Sequence, residues 1–250
     1  MTSAIYPSLA GKTVVITGGG SGIGAQIVRG FVAQKARVFF LDIAEKDSRS
    51  LAEELGGAAV FMKCDLTNLG ELQATLAAVQ EKAGAVATLV NNAANDDRHS
   101  FEKVTPAYWE ERINVNLRHY FFAAQAVVPG MRNAGGGAII NLGSVSWHLA
   151  LPDLVLYETS KAGIEGLTRA LARDLGEAAI RVTSVIPGAV RTPRQMALWH
   201  TPDEEEKIVT QQCIKARVEP TDVAAMVQFL ASDDARFCTA HSYWVDAGYR

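Results

Sequence analysis

A short run of β-branched and apolar residues, Lys12-Thr13-Val14-Val15-Ile16-Thr17, passes without a spacer into Gly18-Gly19-Gly20-Ser21-Gly22-Ile23-Gly24, and an amphipathic stretch follows to about Gln34. The run predicts a buried strand and the stretch a helix. Glycines at a strand-to-helix turn let the backbone approach a phosphate closely, and the helix N-terminus adds N–H groups and positive dipole. The spacing is Gly18-x-x-x-Gly22-x-Gly24. A glycine-rich turn alone carries little; here it has the strand before it and the helix after it that a phosphate cradle needs.

The alternation continues along the chain. A second strand at Arg37 to Leu41 ends in Asp42, about 20 residues past the glycines, where an acid can accept from adenosine ribose hydroxyls and repel a 2′-phosphate. No Arg or Lys follows until Lys46, which favours NAD over NADP. Asp42 also stands where it could open the helix expected from Ala44 to Leu55. Further strands are expected at Ala59 to Lys63, Thr88 to Val90, Ala138 to Leu142, Ile180 to Ile186 and Tyr243 to Val245. Helices fall between them, including Asn68 to about Ala83, a long region from Trp109 to Phe121 and a last one from Thr221 to Leu230. Such a pattern predicts an α/β fold with one doubly wound parallel sheet and ligands at its carboxyl edge. Asn116 lies among apolar residues of the long helical region, so it is either a structural bridge or part of a proton path. The segment from Ala189 to Lys215, with Pro193, Pro202 and the acidic run Asp203 to Glu206, is expected to form a lid over the substrate, at about 189–215.

Tyr157 and Lys161 stand four residues apart in a helical stretch, so both lie on one face, one turn apart. A free phenol titrates near pH 10 and is a poor base at neutral pH; a neighbouring ammonium favours the phenolate. The pair is a candidate for moving protons.

Composition narrows the remaining classes. With 48% hydrophobic and 20% charged residues among 250, the chain can bury a sizeable core, and no internal repeat or low-complexity linker divides it, which predicts a single domain. Net charge is −3 with no basic stripe, which argues against nucleic acid and against a membrane surface. There is neither a signal-like N-terminus in Met1 to Lys12 nor an apolar run long enough to span a bilayer, so a cytoplasmic location is expected. Cys64, Cys213 and Cys238 lack metal-ligand spacing, and His148 has no second His or Cys at ligand spacing; no metal is expected.

Thr17 to Gly24, Asn91-Asn92-Ala93-Ala94, Asn116, Ser144, Tyr157-x-x-x-Lys161 and Pro187-Gly188 recur in the order and at the intervals of one family. Over its whole length the chain resembles the short-chain dehydrogenase/reductases. Two positions depart from the family pattern: Ala94 replaces the last glycine of Asn-Asn-Ala-Gly, and Gly143 replaces the serine before Ser144. The resemblance implies a Rossmann-type, seven-stranded, three-layer α/β/α domain, a homotetramer, and a Ser144–Tyr157–Lys161 centre in which Tyr157 is the base. It also implies that Lys161 lowers the Tyr157 pKa and bonds the nicotinamide ribose, that Ser144 binds the reacting oxygen, and that Asn116 holds a water leading to Lys161. Cofactor contacts would fall at Gly18, Ser21, Gly22, Ile23, Gly24, Asp42, Asp65, Leu66, Asn92, Tyr157, Lys161, Pro187, Gly188, Val190 and Thr192.

Further matches at Asn95 to His99, Ile113 to His119, Ser146 to His148 and Trp244 to Arg250 resemble family members that oxidise an aldopyranose at its anomeric carbon to the lactone. D-xylose or a related pentose is the implied substrate, with NAD as cofactor. Asn95, Ser146, Trp147, His148 and Trp199, beside Ser144 and Tyr157, are then the expected substrate contacts; an aromatic face with hydrogen-bonding groups suits a sugar ring. The alternative within the family is a secondary alcohol elsewhere, in a keto-deoxy sugar acid or a steroid, and Arg98, Arg191 and Arg194 leave a carboxylate-bearing substrate open. A cofactor-binding regulator without catalysis is the alternative from another class, and the intact Ser144, Tyr157 and Lys161 argue against it.

Overall fold

In the computed structural model, residues 4–249 are described, so Arg250 of the terminal motif lies outside them. The predicted strands form β1 (Thr13–Thr17), β2 (Arg37–Asp42), β3 (Ala59–Lys63), β4 (Thr88–Asn91), β5 (Gly137–Leu142), β6 (Ile180–Pro187) and β7 (Ser242–Val245). All seven pair in parallel in the order β3-β2-β1-β4-β5-β6-β7. The continuous apolar run of β1 follows from burial on both faces. Val14 and Ile16 pack into one core while Val15 packs into the other, as the two-residue period of a strand requires.

Helices cover the two faces. On the first, α1 (Gly22–Ala33) and α10 (Pro220–Ala231) contribute Ile27, Phe31, Val227 and Leu230, and α2 (Glu45–Glu54) adds Leu51. On the second, α3 (Leu69–Ala83), α5 (His119–Asn133) and α7 (Val155–Leu175) contribute Leu76, Val79, Val127, Met131 and Leu175. Helix α3 begins after Asn68, whose side chain accepts from the Glu71 N–H.

The long helical region expected around Trp109 to Phe121 contains a break. Helix α4 (Pro106–Ile113) leads into a π-helical turn over Asn114–Arg118, and α5 continues from it. Such a turn widens the helix by one residue and commonly marks a functional position. Here it holds Asn116, fully buried, against the backbone of Asn95: Oδ1 accepts from the Asn95 N–H at 2.7 Å and Nδ2 donates to the Asn95 carbonyl at 3.0 Å.

Past β5 a single helical turn, α6 (Ser146–Leu149), precedes α7. After β6 come α8 (Pro193–Leu198) and α9 (Pro202–Gln211), each opened by a threonine, Thr192 and Thr201, whose side chain accepts from an N–H of the first turn. The acidic run lies in the first turn of α9, where the dipole favours it. Among the described residues, no helix is long and apolar enough to cross a membrane.

Candidate active site

The carboxyl ends of the strands border a cleft of about 950 Å³. Its floor is the turn between β1 and α1. Gly18 has φ +67°, and a Cβ there would sit 2.7 Å from Ala93 Cα; a Cβ on Gly24 would meet the Gly18 carbonyl oxygen at 1.8 Å. These glycines therefore permit close packing of the turn on β4. Asn92 binds the same turn, with Nδ2 donating to the carbonyls of Thr17 at 3.1 Å and Gly18 at 2.8 Å. The Ser21 side chain makes no capping bond to α1, so the N–H groups of the first helical turn face the cleft without a side-chain partner. A dinucleotide pyrophosphate fits that opening.

Asp42 stands at the tip of β2, and the N-cap of α2 is Ala44, so Asp42 acts on the helix entry from two residues before it. Oδ2 accepts from the Gly20 N–H and Oδ1 from the Ala44 N–H, each at 2.8 Å, so it fastens the glycine turn and the entry to α2 while lining the cleft. Asp65 also lines the cleft, and its Oδ1 accepts from the backbone N–H and hydroxyl of Thr67 at 2.9 and 2.7 Å.

At the reacting end, β5 delivers Ser144 and α7 delivers Tyr157. Ser144 Oγ donates to Ser146 Oγ at 2.9 Å and accepts from the Ser146 N–H at 3.1 Å. A Cβ on Gly143 would lie 2.4 Å from Ile186 Cδ1, the tip of a side chain that a serine there would displace. Burial holds the Tyr157 phenol above its ordinary pKa, the Asp96 carboxylate adds to this, and a hydrogen bond with Ser144 works against it. Burial pulls the Lys161 ammonium down to about 7, with Asp96 opposing. Lys161 Nζ stands 5.4 Å from the centre of the Tyr157 ring and donates to the Leu142 carbonyl at 2.7 Å.

Of the residues singled out in the sequence, Gly18, Ser21, Gly22, Ile23, Gly24, Asp42, Asp65, Leu66 and Asn92 line one end of the cleft. Asn95, Ser144, Ser146, Tyr157, Gly188, Val190, Thr192 and Trp199 line the rest. Asn116 and Lys161 stand behind this wall, buried. Pro187 does not line it: as the last residue of β6 it pairs with Val245, and its carbonyl accepts from the Val145 N–H at 3.0 Å.

Trp147 and His148 correct the expectation that they face the substrate, because neither borders the cleft. Trp147 Nε1 donates to Glu165 Oε1 at 2.8 Å, His148 Nε2 lies 2.9 Å from the same oxygen, and the His148 ring packs between Trp147 and Trp244. The α6 turn carries Ser146 inward and so carries its two successors outward, onto α7 and β7.

The sequence reading missed an ionic network at the mouth. Asp96 and Asp97, after β4, meet Arg194 and Gln195 of α8: Arg194 Nε donates to Asp96 Oδ1 at 3.2 Å, Gln195 Nε2 to Asp96 Oδ2 at 2.5 Å, and Arg194 also pairs with Asp97. Arg112, buried in α4, reaches Asp97 Oδ2 at 3.3 Å. Behind α8, Glu205 of α9 pairs with Arg217 at 2.5 Å and Arg191 at 3.5 Å. The Arg98 guanidinium lies 4.7 Å over the Trp199 ring.

The fold, the glycine cradle and the serine–tyrosine–lysine arrangement define a nucleotide-dependent oxidoreductase, and the chain belongs to the short-chain dehydrogenase/reductase family. A family model described as enoyl-(acyl carrier protein) reductase matches residues 18–250. The D-xylose 1-dehydrogenase of Caulobacter vibrioides is 62% identical over 253 residues, covering all of both chains. A probable galactose dehydrogenase of Rhizobium meliloti is 42% identical, covering 99% of this chain and 98% of that one. Among solved structures, ligand-free Thermoplasma acidophilum aldohexose dehydrogenase superposes with TM-score 0.86 at 29% identity, covering 98% of this chain and 96% of the other. The family's cofactor is a nicotinamide dinucleotide.

Proposed function

We propose that the protein oxidises an aldose, D-xylose or a related pentose, at C1 to the lactone, with NAD as the preferred cofactor. The observation that carries the reading is full-length identity of 62% to a D-xylose 1-dehydrogenase, together with Ser144 and Tyr157 meeting in one cleft beside the cradle. A nicotinamide dinucleotide, when bound in this cleft, would supply the hydride acceptor. Ser144 holds the reacting oxygen; Tyr157, as phenolate, takes the hydroxyl proton; Lys161 supplies the charge that favours the phenolate and reaches for the cofactor ribose. Asn116 keeps the Asn95 segment in place and leads a water toward Lys161.

Asp42 favours NAD, since its carboxylate at the tip of β2 would face a 2′-phosphate. Of the three arginines that left a sugar acid open, Arg194 is paired with Asp96 and Asp97 and Arg191 with Glu205, while Arg98 lines the cleft over the Trp199 ring. Two of the three are thus committed to the protein's own carboxylates, which supports a neutral substrate. The segment 189–215 acts as the lid of a single catalytic domain, with Trp199 and Asn95 beside the sugar. A homotetramer accords with the exposed Phe101, Trp109, Phe121 and Val155, apolar residues of the region from Phe101 to the start of α7 that a second copy would cover. NADH formation measured with a panel of aldoses, sugar acids and a steroid tests the reading. Turnover of a sugar acid or steroid and of no aldose would overturn it.

A further inference from the structure

Tyr120 is the second residue of α5 and is fully buried. Its hydroxyl donates to the Leu142 carbonyl at 3.1 Å. The same carbonyl accepts from Lys161 Nζ at 2.7 Å, and Lys161 Nζ donates to the Tyr120 hydroxyl at 3.3 Å. Phenol, ammonium and carbonyl thus close a three-membered ring of hydrogen bonds behind the cleft. The ammonium sits almost midway between two aromatic rings, 5.6 Å from the centre of Tyr120 and 5.4 Å from that of Tyr157.

A buried ammonium needs oxygen acceptors. A carboxylate in this place would satisfy it and also cancel its charge. A phenol that burial keeps protonated satisfies it and leaves the full positive charge for the neighbour on the other side. Asn116 does not share the task, because both ends of its amide are committed to Asn95. We propose that Tyr120 is a positioning residue that holds the Lys161 ammonium beside Tyr157. The proposal rests on the reading of Tyr157 as the base.

The other charged or titratable groups facing this ammonium are few. Tyr157 shares its helix, His119 stands beside Tyr120 with ring centres 4.5 Å apart, and Asp96 acts on Lys161 from the loop after β4. Glu165, one turn further along α7, is taken by Trp147, His148 and Ser242. His119 is held neutral at working pH by burial, with its pKa pushed down to about 3.

The test is Tyr120→Phe, which keeps the ring and removes the acceptor. NADH affinity, followed by nicotinamide fluorescence from pH 6 to 10, needs no sugar and reads the charge on Lys161. Its alkaline fall should move toward lower pH by about one unit, the size expected when a charged group loses one hydrogen bond. The alkaline limb of kcat/KM with D-xylose should move in the same direction, kcat should fall about tenfold, and the KM for sugar should stay within twofold. If Tyr120→Phe does not fold, Tyr120→Met fills the space without a hydroxyl and carries the same expectation. A wild-type pH profile for either variant, even with lower kcat, would mean a packing role only and overturn the proposal. Retained turnover in Tyr157→Phe would instead overturn the base reading, whatever the Tyr120 variants show.

Discussion

Arg194 Nε lies 3.2 Å from Asp96 Oδ1, a contact that joins residues 98 apart in the chain across the mouth of the cleft. One partner belongs to α8 and the other to the loop that follows β4, so the pair ties the 189–215 segment to the edge of the sheet. Exposed ion pairs contribute less than about 1 kcal/mol singly. This one is supported by Gln195, Asp97 and the buried Arg112, which fix its geometry.

Arg194→Ala should therefore loosen the proposed lid at 189–215 without touching the reacting groups. The KM for sugar is expected to rise about three- to tenfold while kcat changes less than twofold, on the scale of a small charge network. Steady-state kinetics with saturating cofactor checks this; a fall in kcat with unchanged KM would show that the pair acts on chemistry and not on closure.

Asp42 should decide between the two cofactors. The unmodified protein is expected to prefer NAD over NADP by at least about tenfold in kcat/KM, roughly 1.4 kcal/mol. Asp42→Ala should narrow that gap from both sides. It should also lower the thermal midpoint, because the carboxylate holds the Gly20 and Ala44 N–H groups. Equal efficiency with both cofactors in the unmodified protein would remove the argument.

Tyr157→Phe should abolish turnover and keep NADH binding, since the ring and its packing remain. Turnover above a few per cent would assign the base elsewhere. In the unmodified protein, oxidation should rise through one deprotonation below the free-phenol value of about 10, which requires the Lys161 charge to outweigh the burial that raises the phenol.

Acid stability should report His119. The buried imidazole, with Nε2 3.1 Å from the Ala93 carbonyl, is pushed down to about 3, whereas in the unfolded chain it titrates near 6.5. Between those values the unfolded chain binds a proton that the folded one does not. Stability is then whole above about pH 6.5 and declines as the pH falls toward 3, by up to about 1.4 kcal/mol per pH unit. His119→Gln keeps an N–H for the carbonyl and should flatten the decline of the thermal midpoint between pH 6.5 and 4. An unchanged slope would assign the acid sensitivity to other groups.

What the sequence made legible was local. Strand runs such as Lys12 to Thr17, the Gly18 to Gly24 turn and the Tyr157–Lys161 spacing carry their own periodicity, and each appears where it was expected. Contacts between distant segments left no such mark. Nothing in the neighbourhood of Asp96 points to Arg194, and nothing near Tyr120 points to Lys161, 41 residues on. The misreading of Trp147 and His148 has the same origin. In a single turn of helix, adjacent positions point in different directions, and only Glu165 and Trp244, from α7 and β7, settle which way each one faces.

The strand order has a consequence for how the two ends of the cleft are built. Because β4 inserts beside β1, the hydrogen bonds that hold the glycine turn, from the Asp42 carboxylate, the Asn92 amide and the Thr17 hydroxyl, which accepts from the Asn92 and Ala93 N–H groups, all join residues between 17 and 93. Ser144, Tyr157, Lys161 and the 189–215 segment all lie beyond residue 93. The bonds of the glycine turn and the reacting groups thus come from separate stretches of chain, so substitutions in the one can be made without altering the residues of the other.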